Sequence, residues 1–366
     1  MSQLSLEEIR SLRLTSLQLA EHDFTTPEEI VSWFAAMQAQ DLASVKWSLG
    51  VRLPHLTEVD IDGALEAGSI LRTWPMRGTI HLIPAQDARW MLEAVGSRQL
   101  KGVEKRWQRL ELDRETVERS GGVLAAAMRG NRRLTRAECS VTLQESGIET
   151  TGQRLYHLLW YNSQIGLTCI GPNVGKEQTF ALLDDFAPVQ RQLVGSEALA
   201  ELAWFFVRSH GPIPASDFAG WAGIPVTAAR SALAENEGRV AKVQSELGDQ
   251  WITEELLARR GESTMPTTVL ALPGFDEFVL GYKDRTALLD AGHLQFVVPG
   301  SNGMFRATIV DRGRVIGVWT RSQTKTRVKV QAEPFGVLSK RQRSSFESSI
   351  AAYGRYLGLP AEVVGT

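Results

Sequence analysis

The side chains best placed to do chemistry fall in two short runs. One is Met37-Gln38-Ala39-Gln40-Asp41; the other is Leu71-Arg72-Thr73-Trp74-Pro75-Met76-Arg77-Gly78-Thr79-Ile80-His81. Glutamines at i and i+2 do not share a helix face, but on extended chain they project together while Ala39 turns away. Each amide offers one carbonyl acceptor and one NH2, with no basic group at neutral pH. Such a pair can hold a water and aim carbonyl dipoles at developing positive charge. It is equally suited to capping helix ends. In the second run Thr79 and His81 alternate, so both face one side of a strand, close in sequence to Arg77. A lone histidine there has a structural reading as well as a functional one.

The elements around these runs set how they are presented. Ile30, Val31, Phe34 and Met37 have helical spacing over 27–37, and Thr26 with Glu29 supplies a capping box. Asp41 is a good N-cap for a helix running from Leu42 to Arg52 and closed by Pro54. Its carboxylate, one residue from Gln40, is a competing candidate base, with capping the favoured role. The glutamines are therefore expected on an extended break between two helices. Thr57, with Asp60 three positions on, opens a further helix over 58–67. Ile70 to Trp74 reads as a strand, Pro75-Met76 as a tight connection and Gly78 to Ile83 as a second strand. Helices followed by a hairpin are winged-helix organisation. The helix before the hairpin carries Glu58, Asp60, Asp62 and Glu66, the wrong sign for a recognition helix in a major groove.

The plan recurs. Residues 85–110 read as a connecting helix. Glu115 to Met128, a helix capped by Thr135 with Glu138, a helix over 152–162 and a strand from Ile165 make a second unit. Ser196 to Ser209, Ala215 to Trp221, Pro225 to Asn236 and a hairpin over 239–252 make a third. Leu134-Thr135 matches Ile213-Pro214, and Gly147-Ile148 matches Gly223-Ile224, a faint repeat in turn chemistry. From 267 to 334 the pattern turns to strands, among them Thr268–Leu272, Gln295–Val298, Ala307–Val310, Val315–Trp319 and Arg327–Val330. Asp311-Arg312-Gly313-Arg314 reads as a hairpin turn, and Ser339 to Leu357 as an amphipathic helix.

Within 366 residues, 43% hydrophobic and 22% charged, there is room for two or three ordinary globular domains. No apolar run of about 18 residues exists, so no membrane span is expected, and residues 1–13 lack a signal-peptide core. Cys139 and Cys169 show no metal-ligand spacing. That points to a reducing, cytoplasmic setting and away from structural zinc or an iron–sulfur cluster. No metal, nucleotide or other cofactor is expected. The net charge of −2 does not favour indiscriminate nucleic-acid binding, so local clusters matter more. They lie at Arg98, Lys101, Lys105, Arg106 and Arg109; at Arg129, Arg132, Arg133 and Arg136; and at Arg321, Lys325, Arg327 and Lys329. Arg132, Arg133, Lys325 and Arg327 are the candidate phosphate contacts.

Gln38-Ala39-Gln40 and the run from Arg72 to His81 closely resemble the AlkZ/YcaQ superfamily of winged-helix DNA glycosylases. The resemblance continues through 272–278, 282–285 and 299–306. The second glutamine, where the YcaQ branch has an acidic residue, is similar to the AlkZ branch. The resemblance implies an α+β fold of three tandem winged-helix units with a C-terminal antiparallel β-subdomain. The boundaries are 1–92, a connecting helix over 93–113, then 114–190, 191–264 and 265–366. It further implies Gln38 and Gln40 as the catalytic pair, Arg77, Thr79 and His81 beside the sugar–phosphate, and Asp276 and Asn302 lining the same cleft.

The chemistry of the amides agrees with that reading. Breaking a base–sugar bond makes an oxocarbenium-like sugar. Glutamine cannot take a proton early from the attacking water, which is tolerable only if the base departs easily. An N7- or N3-alkylated purine carries a formal positive charge and needs no general acid. Paired amides therefore predict cationic alkylpurines as substrates, and the resemblance adds bulky adducts and interstrand crosslinks. The expectation is a monomeric, nucleoid-associated, cofactor-free DNA glycosylase acting on double-stranded DNA. The competing readings are a non-catalytic winged-helix transcriptional regulator and a protein-binding scaffold. Base release from alkylated DNA separates the first from both, and salt-dependent DNA binding separates the other two.

Overall fold

The computed structural model describes residues 3–262, 265–301 and 303–364. Its contacts group into two units, one formed by Met1–Ile61 with Ala200–Thr366 and the other by Asp62–Leu199. The chain opens with α1 (Leu6–Ser16) and α2 (Pro27–Phe34), each started by a complete capping box, Ser5 with Glu8 and Thr26 with Glu29. It then runs extended as β1 (Met37–Gln38) and re-enters helix as α3 (Leu42–Arg52), capped by Asp41. This is the extended break that the flanking helical patterns and the Asp41 cap predict. Next comes α4 (Glu58–Ala67).

The second unit is built on the hairpin of β2 (Ile70–Met76) and β3 (Thr79–Pro84). Its turn is Arg77-Gly78, with φ of 55° and 70°. Two consecutive positive φ values make a two-residue turn whose twist matches the flanking strands. The turn expected at Pro75-Met76 is thereby corrected. The strand carries on through Pro75 because its register shifts between Thr73 and Met76, which accommodates a residue with no N–H.

The single connecting helix expected over 85–110 is also corrected. It is broken into α5 (Ala88–Ala94) and α6 (Glu104–Arg109). Gly96 and Gly102 lie between them, each costing about 1 kcal/mol in helix interior relative to alanine. The unit continues with α7 (Arg114–Met128), β4 (Leu134–Thr135), α8 (Arg136–Glu145), α9 (Arg154–Gln164), β5 (Thr168–Val174), β6 (Glu177–Leu182) and α10 (Leu183–Phe186). Strands lie in the order β3-β2-β5-β6-β4, all antiparallel. Cys139 and Cys169 are buried and unbridged. Burial pushes both thiols up to about 12, so they serve as small core residues.

The remaining chain forms α11 (Gly195–His210), α12 (Ala215–Ala222), α13 (Val226–Ala234), the hairpin β7 (Val240–Ser245) and β8 (Gly248–Thr253), and α14 (Glu254–Ala258). After it come β9 (Leu270–Leu272), α15 (Glu277–Leu280), α16 (Leu294–Val297), β10 (Ala307–Asp311), β11 (Arg314–Gln323), β12 (Val328–Pro334), α17 (Lys340–Leu357) and β13 (Ala361–Val364). The strand expected at Gln295–Val298 is instead α16, closed by Val298 N–H donating to Leu294 O at 2.8 Å. Four apolar-rich residues fit either state by pattern alone. The Arg312-Gly313 turn, φ 48° and 70°, falls where the sequence predicts it.

This last sheet has the order β13-β12-β11-β10-β9. Its first four strands in the chain pair antiparallel, as expected, but β13 adds to β12 in parallel. Helix α17 buries Phe346, Ile350 and Tyr353 and packs against β9, β13 and α3. The sheet and α17 both hold α3 by hydrogen bonds. Trp47 Nε1 donates to Ala271 O at 2.8 Å, and Tyr356 donates its hydroxyl to Lys46 O at 2.9 Å. The C-terminal subdomain thus clamps the helix that follows the glutamines. Among the described residues no helix is long and apolar enough to cross a membrane.

Candidate active site

Helix α2 ends on Ala35, at φ 61° and ψ −39°. An L-residue there costs on the order of 1–3 kcal/mol and persists only when its surroundings hold it. Phe34, Ala35, Ala36 and Met37 are at most 1% exposed, so the kink is gripped by core packing. It throws the chain into β1 with Gln38 at the core boundary, 8% exposed, and Gln40 in the open. The Gln38 main-chain N–H donates to Glu277 Oε1 at 3.3 Å. Among the described residues the Gln38 side-chain amide has no hydrogen-bond partner. Asp41 has both carboxylate oxygens engaged. One accepts from the Ala43 and Ser44 N–H groups at 3.1 and 3.4 Å, the other from the Ser44 hydroxyl at 2.8 Å. It is the cap of α3, as expected.

Asp276 lies buried at the start of α15. Arg52 grips it with two nitrogens at 2.8 and 3.1 Å, the Ser48 hydroxyl donates at 2.6 Å, and Phe278 N–H donates at 2.9 Å. Burial alone would raise this carboxyl. The Arg52 charge and the four hydrogen bonds outweigh burial and hold it below the ordinary carboxylate range. Asp276 therefore fastens α3 to α15. Glu277, the next residue, is 1% exposed and bonds in two directions. Oε1 takes the Gln38 N–H, and Oε2 meets His210 Nε2 at 3.2 Å.

In the second unit, His81 is fully buried on β3. Its Nδ1 lies 2.9 Å from Thr79 O and its Nε2 lies 3.3 Å from Arg77 Nη2. The carbonyl only accepts and the guanidinium only donates, so Nδ1 carries the proton and Nε2 presents its lone pair. Burial, and next the Arg77 charge, push the imidazole down to about 3 against the opposing Thr79 carbonyl. His81 is a neutral ring at physiological pH. The Thr79 hydroxyl oxygen is buried with no hydrogen-bond partner among the described residues. The hairpin thus brings Arg77 and His81 into contact, with Thr79 Oγ1 unsatisfied beside them in sequence.

The basic candidates differ among themselves. Arg132 is exposed. Arg133 pairs with Glu66 of α4 through two nitrogens at 2.6 and 2.8 Å, which raises its own pKa and lowers that of Glu66. Lys325 and Arg327 lie exposed at the β11–β12 turn, Arg327 within 3.9 Å of Glu362. Asn302 lies outside the described residues. Three residues of the site region escaped the sequence reading: Arg52, His210 and Glu277. Glu277 had one legible signal, an acid set among Phe275, Phe278 and Val279, where an unpaired charge would be costly.

Residues 31–356 match the family profile described as DNA glycosylase AlkZ-like. The chain belongs to the AlkZ-like DNA glycosylase family. The glycosylase is therefore a hydrolase acting on N-glycosyl bonds, and the non-catalytic regulator is set aside. A relative from Streptomyces sahachiroi, named interstrand DNA cross-link repair glycosylase, is 23% identical over 313 residues, 80% of this chain and 81% of that protein. The solved structure of Streptomyces sahachiroi DNA glycosylase AlkZ superposes with a TM-score of 0.79 at 22% identity, covering 99% of this chain and 100% of that one. The fold is thus that of AlkZ, α+β with largely antiparallel sheets.

Proposed function

We propose that this glycosylase removes cationic alkylated purines, N7-alkylguanine foremost, from duplex DNA, using Gln38 and Gln40 to hold and polarise a water beside C1′. The observation that carries the reading is the state of the carboxylates around the glutamine segment. Asp41 caps α3, Asp276 is gripped by Arg52, and Glu277 is shared between His210 and the Gln38 N–H. The Gln38 amide, without a hydrogen-bond partner among the described residues, is left to face the reaction, and Gln40 is exposed two residues on. The glycosidic bond breaks with its electron pair leaving on the base, which cancels the base's formal charge. The water oxygen bonds to C1′ and its proton passes to solvent. Amide carbonyls oriented at the sugar stabilise its transient positive charge.

Arg77 would donate to a phosphate of the substrate strand, with Thr79 and His81 ordering the turn. Arg132, Lys325 and Arg327 would contact the DNA backbone. The name of the curated relative extends the substrate to interstrand crosslinks. We read the helical runs closed by a hairpin at 1–92, 114–190 and 191–264 as winged helices, with 93–113 connecting and 265–366 as the β-subdomain. Two of them share a telling detail. A short segment after the first helix pairs with a wing strand, Leu134-Thr135 with Phe180 and Thr179, and Ile213 with Trp251. The chain would act as a monomer.

The test is single-turnover release of N7-methylguanine from a duplex, in EDTA, by wild type, Gln38→Ala and Gln40→Ala. Each variant should lose about 10²–10³ in rate, the usual loss for one preorganised dipole, with DNA affinity unchanged. Equal losses of affinity and rate would make the glutamines structural. Abolition of wild-type activity by EDTA would remove the water-and-amide mechanism.

A further inference from the structure

Glu277 belongs to neither the expected site nor the bland core, and its surroundings say what it does. It is almost fully buried, a costly place for a carboxylate unless both oxygens are satisfied. One oxygen meets His210 Nε2 at 3.2 Å. That imidazole cannot turn away. Its ring stacks on Phe206 at 4.2 Å between centroids, meets Phe34 edge-on at 5.6 Å, and contacts the Ser209 hydroxyl through Nδ1 at 2.8 Å. Gly281 lets the imidazole approach, since a Cβ there would fall 2.5 Å from His210 Cδ2. Tyr282 donates its hydroxyl to the His210 carbonyl at 2.8 Å, and Arg13 covers the Tyr282 ring at 3.9 Å. The histidine is a fixed post, and it fixes the Glu277 carboxylate.

The other oxygen accepts the Gln38 main-chain N–H. This bond sits three residues beyond the strained Ala35 and on the residue whose amide faces the reaction. It spans 239 positions in sequence, so no local structure supplies it. The proposal rests on the glutamine reading above. We propose that Glu277, held by His210, is a positioning residue that pins the main chain at Gln38 and so sets the aim of the amide pair. It touches neither substrate nor water. Releasing the pin lets the segment drift, and misplacement of about 1 Å near the chemistry costs about 10²-fold in rate.

The variants are Glu277→Gln and Glu277→Ala, with Gln38→Ala beside them. Glutamine keeps a carbonyl oxygen to accept the Gln38 N–H and an NH2 to face His210 in its other tautomer. Single-turnover release of N7-methylguanine, duplex affinity, and hydrogen–deuterium exchange over residues 35–41 are measured in the full chain. Glu277→Ala should lose about 10²-fold in rate at unchanged affinity, with faster exchange at the Gln38 amide. Glu277→Gln should recover the rate to within about threefold of wild type and restore protection. If Glu277→Gln is as slow as Glu277→Ala while Gln38 stays protected, the charge matters rather than the pin, and the proposal is overturned. Unchanged rate and unchanged exchange in Glu277→Ala would also overturn it. Should Glu277→Ala not fold, Glu277→Gln decides alone by the same rate and exchange comparison. If Gln38→Ala is itself fully active, the amide mechanism has failed rather than the positioning of it.

Discussion

The neutral state of His81 gives the most quantitative prediction. Its imidazole is held near 3 in the fold, against an ordinary value of 6.5. Between those values the unfolded chain binds a proton that the folded protein refuses. Stability must then rise with pH through that window by about 1.36 kcal/mol per unit and be independent of His81 above it. From pH 7.5 to 5.0 the loss carried by this one ring is about 2 kcal/mol, roughly a 30-fold shift in the folding equilibrium.

His157, pushed down to about 4 by burial and Arg106, and His22, lowered by burial, tilt the same curve. The raw pH dependence of wild type is therefore not the readout. The readout is its difference from His81→Asn, whose amide NH2 can still donate to the Thr79 carbonyl but which does not titrate. Urea unfolding of both proteins at pH 7.5 and 5.0 gives it, with the carboxylates and other histidines cancelling. Wild type should lose about 2 kcal/mol more than the variant. Equal losses would mean that His81 titrates normally in the fold, and the neutral-ring argument and its hydrogen-bond assignment would fall.

Three further outcomes follow from the geometry. Gln40→Asp should keep partial activity and acquire an acidic limb in its rate between pH 4 and 8, set by an aspartate near 3.9 or higher if the site desolvates it. Wild type should lack that limb, and its presence there would put a native carboxylate in the role of base. Arg132→Ala should weaken duplex binding alike for all sequences and flatten the salt slope by about 1. Arg133→Ala should change the slope less, because Glu66 already matches that charge; equal slopes for the two variants would refute the distinction. Asp276→Ala should lower stability by about 3–5 kcal/mol by stranding the buried Arg52. An unchanged urea midpoint would mean that the pair is not the fastener it looks like.

What the sequence made legible was local. Capping boxes at Thr26 and Thr135, the cap at Asp41 and the Arg312-Gly313 turn are all short-range chemistry, and all fall where their residues predict. The extended break at the glutamines was legible because the helical spacing before it and the Asp41 cap after it are local signals too. The hairpin turn moved from Pro75-Met76 to Arg77-Gly78 because proline is a strong punctuator, and a bulge can quietly absorb it. The segment 295–298 had too few residues for its period to speak. The anchors of the site region are the least local of all. Arg52 and Asp276 stand 224 positions apart, and His210 and Glu277 stand 67 apart. Nothing in either neighbourhood names the other, although an acid in an apolar run announces that some partner must exist.

On the proposed mechanism, this glycosylase would do without acid–base catalysis. Among the described residues Asp41 caps α3, Asp276 is gripped by Arg52, and Glu277 is shared between His210 and the Gln38 N–H. A positioned general acid contributes about 10²–10⁴ to rate. Its absence withholds that factor from an uncharged purine, which must be protonated to leave. It withholds nothing from an N7-alkylated one, which leaves as a neutral base. Selectivity of this kind lies in the leaving group and not in a pocket closed around the base. An enzyme that selects by leaving group has no need to measure the size of the adduct, and the proposed action on bulky lesions and crosslinks requires that tolerance.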